Sequence, residues 1–304
     1  MTENLRGILA VLIGSFAFVL NDAFVKLVSA ELPSGEIIVL RGVLATIMLT
    51  GGAIAMGAMR PLRLLLTPMM IVRLAAAAGA TAFIVLSVRY LPLAIVNCVL
   101  QVTPLAVTAG AAVVYGEKVG WRRWAAALAG FLGVVLIVQP GGGTFGAAAV
   151  LLLIALCFTT LRDLTTRGIH AGVPSTFVAA GSAASITLSG FAIAPFDAAW
   201  SSPSSWAWGL MTLSAACQFI ANILVIMALR TGEIAVVAPF RYGAVPLSIF
   251  LGWLWWGDVP NALSTAGIGL VMAAGLYTLH RERHGLKLVR APAAAAVTER
   301  SITP

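Results

Sequence analysis

Charge is what this chain has least of. Only 10% of its 304 residues are Asp, Glu, Lys or Arg, where a soluble domain carries about 25%. With 60% hydrophobic residues and a mean hydropathy of +1.00, so little charge excludes a water-soluble globule. Cysteine is equally sparse. Cys98, Cys157 and Cys217 lie inside apolar runs without paired spacing, which leaves them as small core residues instead of disulfides or metal ligands. The chain also lacks an H-E-x-x-H motif, clustered carboxylates for a metal-bound diphosphate, and a G-x-x-x-x-G-K-[ST] loop. No metal or cofactor is expected, and neither direct ATP drive nor membrane-enzyme chemistry finds its residues. Basic residues exceed acidic ones, 19 to 11, but they sit at the ends of apolar runs and not on one folded face. The partner they imply is the lipid bilayer, with no nucleic acid.

Length turns the apolar content into spans. Crossing about 30 Å of hydrocarbon takes about 20 helical residues. Ten such runs follow one another, over roughly 7–28, 34–57, 70–90, 92–115, 121–139, 145–162, 174–196, 205–229, 234–256 and 262–280. Connections are short, so no soluble domain fits between them. Arg6, the first run and Val28-Ser29-Ala30 imitate a cleavable signal peptide, but a repeat argues for retention. Adding 141 to a number in the first half carries Asp22 and Lys26 onto Asp163 and Arg167, and Pro33-Ser34 onto Pro174-Ser175. It carries Arg89 onto Arg230 and Gly116-Glu117 onto Gly257-Asp258; the register then slips by one, with Pro104 on Pro246 and Gly133 on Gly275. The first helix therefore belongs to a five-helix unit that occurs twice, as 1–139 and 140–280, ahead of a basic, flexible tail at 281–304.

A tandem unit with an odd number of spans re-enters the membrane from the opposite side. The expected fold is all-α, with ten transmembrane helices as two inverted five-helix repeats. Fifteen Lys and Arg residues fall on the face that holds both termini and only Lys26 and Arg89 on the other. The positive-inside rule then makes this a multi-pass protein of a bacterial-type inner membrane with both termini cytoplasmic, expected to function as a monomer.

Two segments, "TPLAVTAGAAVVYGEKV" and "VPLSIFLGWLWWGDVP", each put a proline inside a helix, an acidic Gly-Glu or Gly-Asp loop after it and a glycine-rich helix next. With the five-plus-five organisation, they resemble the EamA-like branch of the drug/metabolite transporter superfamily over about residues 5 to 280. The resemblance implies a secondary transporter that moves a small organic metabolite by alternating access, through a central cavity walled by the first, third, fourth, sixth, eighth and ninth helices. Family members that resemble this chain around "PFRY" imply an alternative, uptake of a cofactor such as S-adenosylmethionine or riboflavin.

Polar residues in those helices are the candidate cavity lining: Asn21, Ser87, Asn97, Gln101, Gln218, Asn222, Arg241 and Tyr242, with Thr103 beside them. Together they suit an amphiphilic zwitterion or anion such as an amino acid, and export is the expected direction. Any one of them is also explained by an interhelical hydrogen bond worth about 0.6 kcal/mol. Asp22 with Lys26, and Asp163 with Arg167, are i,i+4 pairs at helix ends, which either stabilise the helix or, because the repeats are inverted, gate opposite faces. Glu117 and Asp258 precede helices whose positive dipole ends they suit. Trp253, Trp255 and Trp256 read as an interfacial belt. Arg41 is taken as structural, with Glu36 as its partner, whereas Arg241 either lines the cavity or pins neighbouring helices. A non-transporting receptor or an enzyme remains a remote alternative.

Overall fold

The computed structural model describes residues 3–117, 119–139, 145–170, 172–231 and 234–300, with side chains set aside at 145, 226, 229–231, 234–235 and 282–300. Lys118, the side chain of Arg230 and the side chains of the tail therefore lie outside the described residues. Among those described there is no strand. The helices are α1 (Glu3–Val28), α2 (Ser34–Ala55), α3 (Pro68–Val88), α4 (Leu93–Leu100), α5 (Thr103–Val114), α6 (Trp121–Val138), α7 (Phe145–Arg167), α8 (Ser175–Ile193), α9 (Ser205–Thr231), α10 (Ile234–Val237), α11 (Ala244–Trp256) and α12 (Ala262–Arg300).

Nine stretches among the described residues are long and apolar enough to cross a membrane, α4 and α5 counting together. The ninth expected span, 234–256, is broken into α10, a 3-10 turn over Ala238–Gly243, and α11. Proline is the cause of both breaks. Its ring collides with the carbonyl four residues back and it has no N–H to give, so it fits best in a first turn and disrupts a helix elsewhere. Pro104 lies in the first turn of α5, and α4 ends at Leu100, four residues before it. Pro246 lies in the first turn of α11, and the 3-10 turn occupies the residues before it. α12 does not stop near 280: its backbone is helical from Ala262 to Arg300.

Helices pack across the halves. α1 lies along α9, α2 along α8, α3 along α7, and α6 along α12. Small residues let the backbones touch, as they must where hydrocarbon supplies no hydrophobic drive. A methyl on Gly267 of α12 would stand 2.6 Å from the carbonyl oxygen of Gly133 in α6, and one on Gly190 of α8 would stand 2.8 Å from that of Gly35 in α2. Lipid tails would meet the outward residues, which include Ile47, Ile54, Leu132 and Leu188.

A candidate binding cavity between the two halves

The cross-packing leaves a cavity of about 250 Å³ in the middle of the bundle. Its apolar walls include Val19 and Val25 of α1, Ile84 and Val85 of α3, and Leu100 of α4. Its polar groups come from both halves. Asn21 and Asp22 of α1, Arg41 of α2, Asn97 of α4 and Gln101 just beyond it face Arg162 and Asp163 of α7, Gln218 of α9 and Arg241.

The two proline breaks deliver part of this lining. A helix that stops leaves carbonyls unpaired, and each must find a donor. Thr103 Oγ1 donates to the Leu100 carbonyl at 2.6 Å, and Gln101 Nε2 donates to the Arg241 carbonyl at 2.9 Å. The first break thereby satisfies a carbonyl of the second. The backbone of Arg241 is held there, while its side chain is exposed at the cavity wall.

Asn21 is the hub of a buried network. Its Oδ1 accepts from Arg41 Nη1 at 3.1 Å and from Ser214 Oγ at 2.8 Å, and its Nδ2 donates to Asp22 Oδ1 at 3.0 Å. The side-chain amide so relays between a guanidinium and a carboxylate. The Arg41–Glu36 pairing expected from the sequence is corrected here: Glu36 Oε2 accepts from the Ser201 N–H at 3.1 Å. Arg41 turns the other way, into the cavity wall, where it is 4% exposed and its Nε has no partner. Across the cavity, Arg162 Nη2 lies 2.9 Å from Asp163 Oδ1, with side chains 35% and 38% exposed. Behind that pair, Arg73 of α3 donates to Thr166 Oγ1 at 3.0 Å and to Ser182 Oγ at 2.6 Å.

The helix-end pairs do not form within their own helices. Lys26 Nζ lies 3.2 Å from Asp258 Oδ2, donates to the Leu91 carbonyl at 2.9 Å, and stands 4.8 Å from the Trp256 ring centroid. Arg167 Nη1 lies 3.5 Å from Glu117 Oε1. The physical reason is that Asp22 and Asp163 turn inward to the cavity, where Asn21 and Arg162 hold them. Gly116 and Gly257 adopt the left-handed conformation, φ 65° and 68°, which favours glycine and ends a helix by turning the chain back. The acid after each is thus carried to its distant partner, and Asp258 is not the cap of α12: Asn261 Oδ1 accepts the Ser264 N–H. Trp256, read as part of an interfacial belt, covers the Lys26 ammonium. These two ion pairs sit at opposite ends of the bundle, since Leu91 follows the last turn of α3 while Arg73, in its first turns, contacts Thr166 beside Arg167.

Of the residues read as lining, Asn21, Asn97, Gln101, Thr103, Gln218 and Arg241 reach the cavity, joined by Asp22 and Asp163. Ser87, Asn222 and Tyr242 are not in its wall. Ser87 is fully buried and donates to the Phe83 carbonyl; Asn222 Nδ2 donates to the Gln218 carbonyl. Tyr242 is buried against Gly275 of α12, its hydroxyl without a partner. Each sits on the wrong side of its helix, a rotation that uniformly apolar spans do not encode. Arg41, Arg162 and Thr159 line the cavity and were missed. The repeat held a signal for Arg162, which is Asn21 shifted by 141.

Residues 5–139 match the EamA-like transporter family. Among curated proteins the chain is 25% identical over 294 residues to a pseudopaline exporter of Pseudomonas aeruginosa, covering 92% of this chain and 97% of that one. It is 28% identical over 182 residues to a riboflavin transporter of Rhizobium johnstonii, covering 59% of each. It is 21% identical over 184 residues to an S-adenosylmethionine uptake transporter of Rickettsia prowazekii, covering 60% of this chain and 62% of the relative. A solved structure described only as "Crystal structure of protein" superposes with TM-score 0.60 over 90% of this chain and 98% of its own at 20% identity, a likeness of fold. Over residues 5–139 this multi-pass membrane protein is therefore similar to the EamA-like transporter family.

Proposed function

We propose that the chain is a secondary transporter in which two inverted five-helix repeats, 1–139 and 140–280, alternately expose the central cavity to either side of a bacterial-type inner membrane. The cargo is a small organic metabolite, an amino acid or a related zwitterion or anion, and both termini are cytoplasmic. The observation that carries this reading is a polar cavity walled by both halves, with an ion pair at each end whose members are 141 residues apart from end to end: Lys26 and Arg167, Glu117 and Asp258.

Inversion has independent support in the packing. A two-fold that exchanges α1 with α7, α2 with α8, α3 with α9 and α6 with α12 turns the α1–α9 contact into the α7–α3 contact and returns the α2–α8 and α6–α12 contacts to themselves. Those are the extensive contacts of the bundle. Thr46 and Thr187, 141 apart, face each other with hydroxyls 3.4 Å apart, as residues beside such an axis must. With the positive-inside orientation, Lys26–Asp258 lies at the outer mouth and Arg167–Glu117 at the inner one. The outer pair is the better buried, with side chains 10% and 28% exposed against 50% for both members of the inner one. The conformation is therefore one with the outer mouth closed.

Export is the direction we propose, because the relative named an exporter aligns over 97% of its length whereas the uptake relatives align over about 60%. Uptake of a cofactor-like metabolite is the second reading. Proteoliposomes containing only this chain, loaded with a labelled bacterial metabolite extract, should release selected solutes faster than empty liposomes. Release no faster than from empty liposomes contradicts transport.

A further inference from the structure

We propose that the molecule carried has one net negative charge, and that Arg41 is the residue that reads it. This rests on the transporter reading and narrows its cargo. Among the described residues that line the cavity, three carry guanidinium groups, Arg41, Arg162 and Arg241, against the two carboxylates of Asp22 and Asp163. The lining is left with an excess of one positive charge, and protonation of either carboxyl only enlarges it. An unneutralised charge away from water is expensive unless something pairs with it. A neutral or cationic cargo leaves the excess in place; a monoanion removes it.

Placement singles out Arg41. Arg162 is already paired with Asp163 at 2.9 Å, and Arg241 is exposed to water at the wall. Arg41 is 4% exposed, has no carboxylate within 4.0 Å among the described residues, and hydrogen-bonds only the neutral oxygen of Asn21. Its Nε is buried without a partner. A buried guanidinium with an unused N–H offers a carboxylate its preferred planar, two-pronged contact. Asp22, one hydrogen bond away through Asn21 and itself in the wall, remains to receive an ammonium group on the same cargo. The chemistry selected is a molecule with one more carboxylate than amino groups.

A six-carbon series that differs only at its end tests charge apart from size: 2-aminoadipate (net −1), norleucine (neutral) and lysine (net +1). Binding is read as the concentration that half-saturates the rise in Tm of the purified full-length protein. 2-Aminoadipate should act at about tenfold lower concentration than norleucine, a difference of about 1.4 kcal/mol, and lysine should not act. Arg41→Gln should abolish that preference while Arg41→Lys retains part of it. Should Arg41→Gln fail to fold, the Arg41→Lys ratio still reports. Norleucine or lysine matching 2-aminoadipate, no response to any of the three, or an unchanged preference in Arg41→Lys overturns the assignment. In parallel, the loaded proteoliposomes separate the two levels: release of only neutral or cationic solutes removes the charge rule and keeps transport, and no release removes transport itself.

Discussion

The ammonium of Lys26 and the carboxylate of Asp258 meet at 3.2 Å across 232 residues of sequence. Shifted by the repeat, the same pair becomes Arg167 and Glu117, which meet at 3.5 Å at the other end of the bundle. One ion pair thus recurs in both halves with different burial. The Lys26 pair is largely covered, gains a carbonyl of Leu91 and the face of Trp256, and as a charge-assisted bond is worth about 1.5–3 kcal/mol. The Arg167 pair is half exposed on both sides, where such pairs contribute about 0–1 kcal/mol.

If each pair closes a mouth as proposed, its burial predicts accessibility. With the native cysteines replaced and Asn97→Cys as a cavity reporter, Lys26→Ala should speed labelling by an impermeant maleimide from the outer side by about tenfold or more. Arg167→Ala should speed labelling from the inner side by about fivefold or less. Equal changes for the two would assign both pairs to helix-end stability alone.

The Asn21 network predicts unequal costs for its members. Asn21→Ala removes the hydrogen bond that the Arg41 guanidinium makes to a neutral oxygen and should cost about 1.5–3 kcal/mol. Ser214→Ala removes one hydrogen bond from the same oxygen and should cost about 0.5–1.5 kcal/mol. Thermal unfolding in detergent ranks them, and equal shifts would contradict the relay.

Glycines separate contact from propensity. Gly267→Ala puts a methyl 2.6 Å from a backbone oxygen of α6, which no side-chain motion relieves, and should lower Tm. Gly51→Ala, in α2 with nothing within 4 Å of the added carbon, should stabilise by about 0.5–1 kcal/mol through helix propensity. The same sign for both would show that the α6–α12 approach is looser than described.

Arg241 is expected to serve the cavity and not the scaffold, because its side chain is exposed and its fixed contact is through the backbone carbonyl. Arg241→Ala should leave stability within about 0.5 kcal/mol, as for a surface change, yet weaken binding of the carried metabolite. A large fall in Tm with binding unchanged would reverse that assignment.

What the sequence showed and hid divides along physical lines. Apolar length and the helix-breaking of Pro104 and Pro246 are local, so spans and breaks were legible. Partners were not. A single chain displays i,i+4 neighbours, hence the pairing of Lys26 with Asp22, whereas the competing acid on Asp258 becomes a neighbour only after the fold closes. The repeat register carried that information unused: Lys26 with Arg167 and Glu117 with Asp258 were already matched, and matched cations with matched anions invite cross-pairs. Helix rotation left no such trace, which is why Tyr242 and Ser87 stood with Gln101 as lining while Arg41 was set aside.

Alternating use of one cavity is tested most directly by locking one mouth. In a background without the native cysteines, Lys26→Cys with Asp258→Cys should be joined by a short thiol-to-thiol cross-linker. Transport in proteoliposomes should then fall to the level of empty liposomes, while a cysteine at Asn97 stays open to labelling from the inner side, and a cleavable linker should restore activity on reduction. Full transport through a protein cross-linked at that mouth would contradict the account.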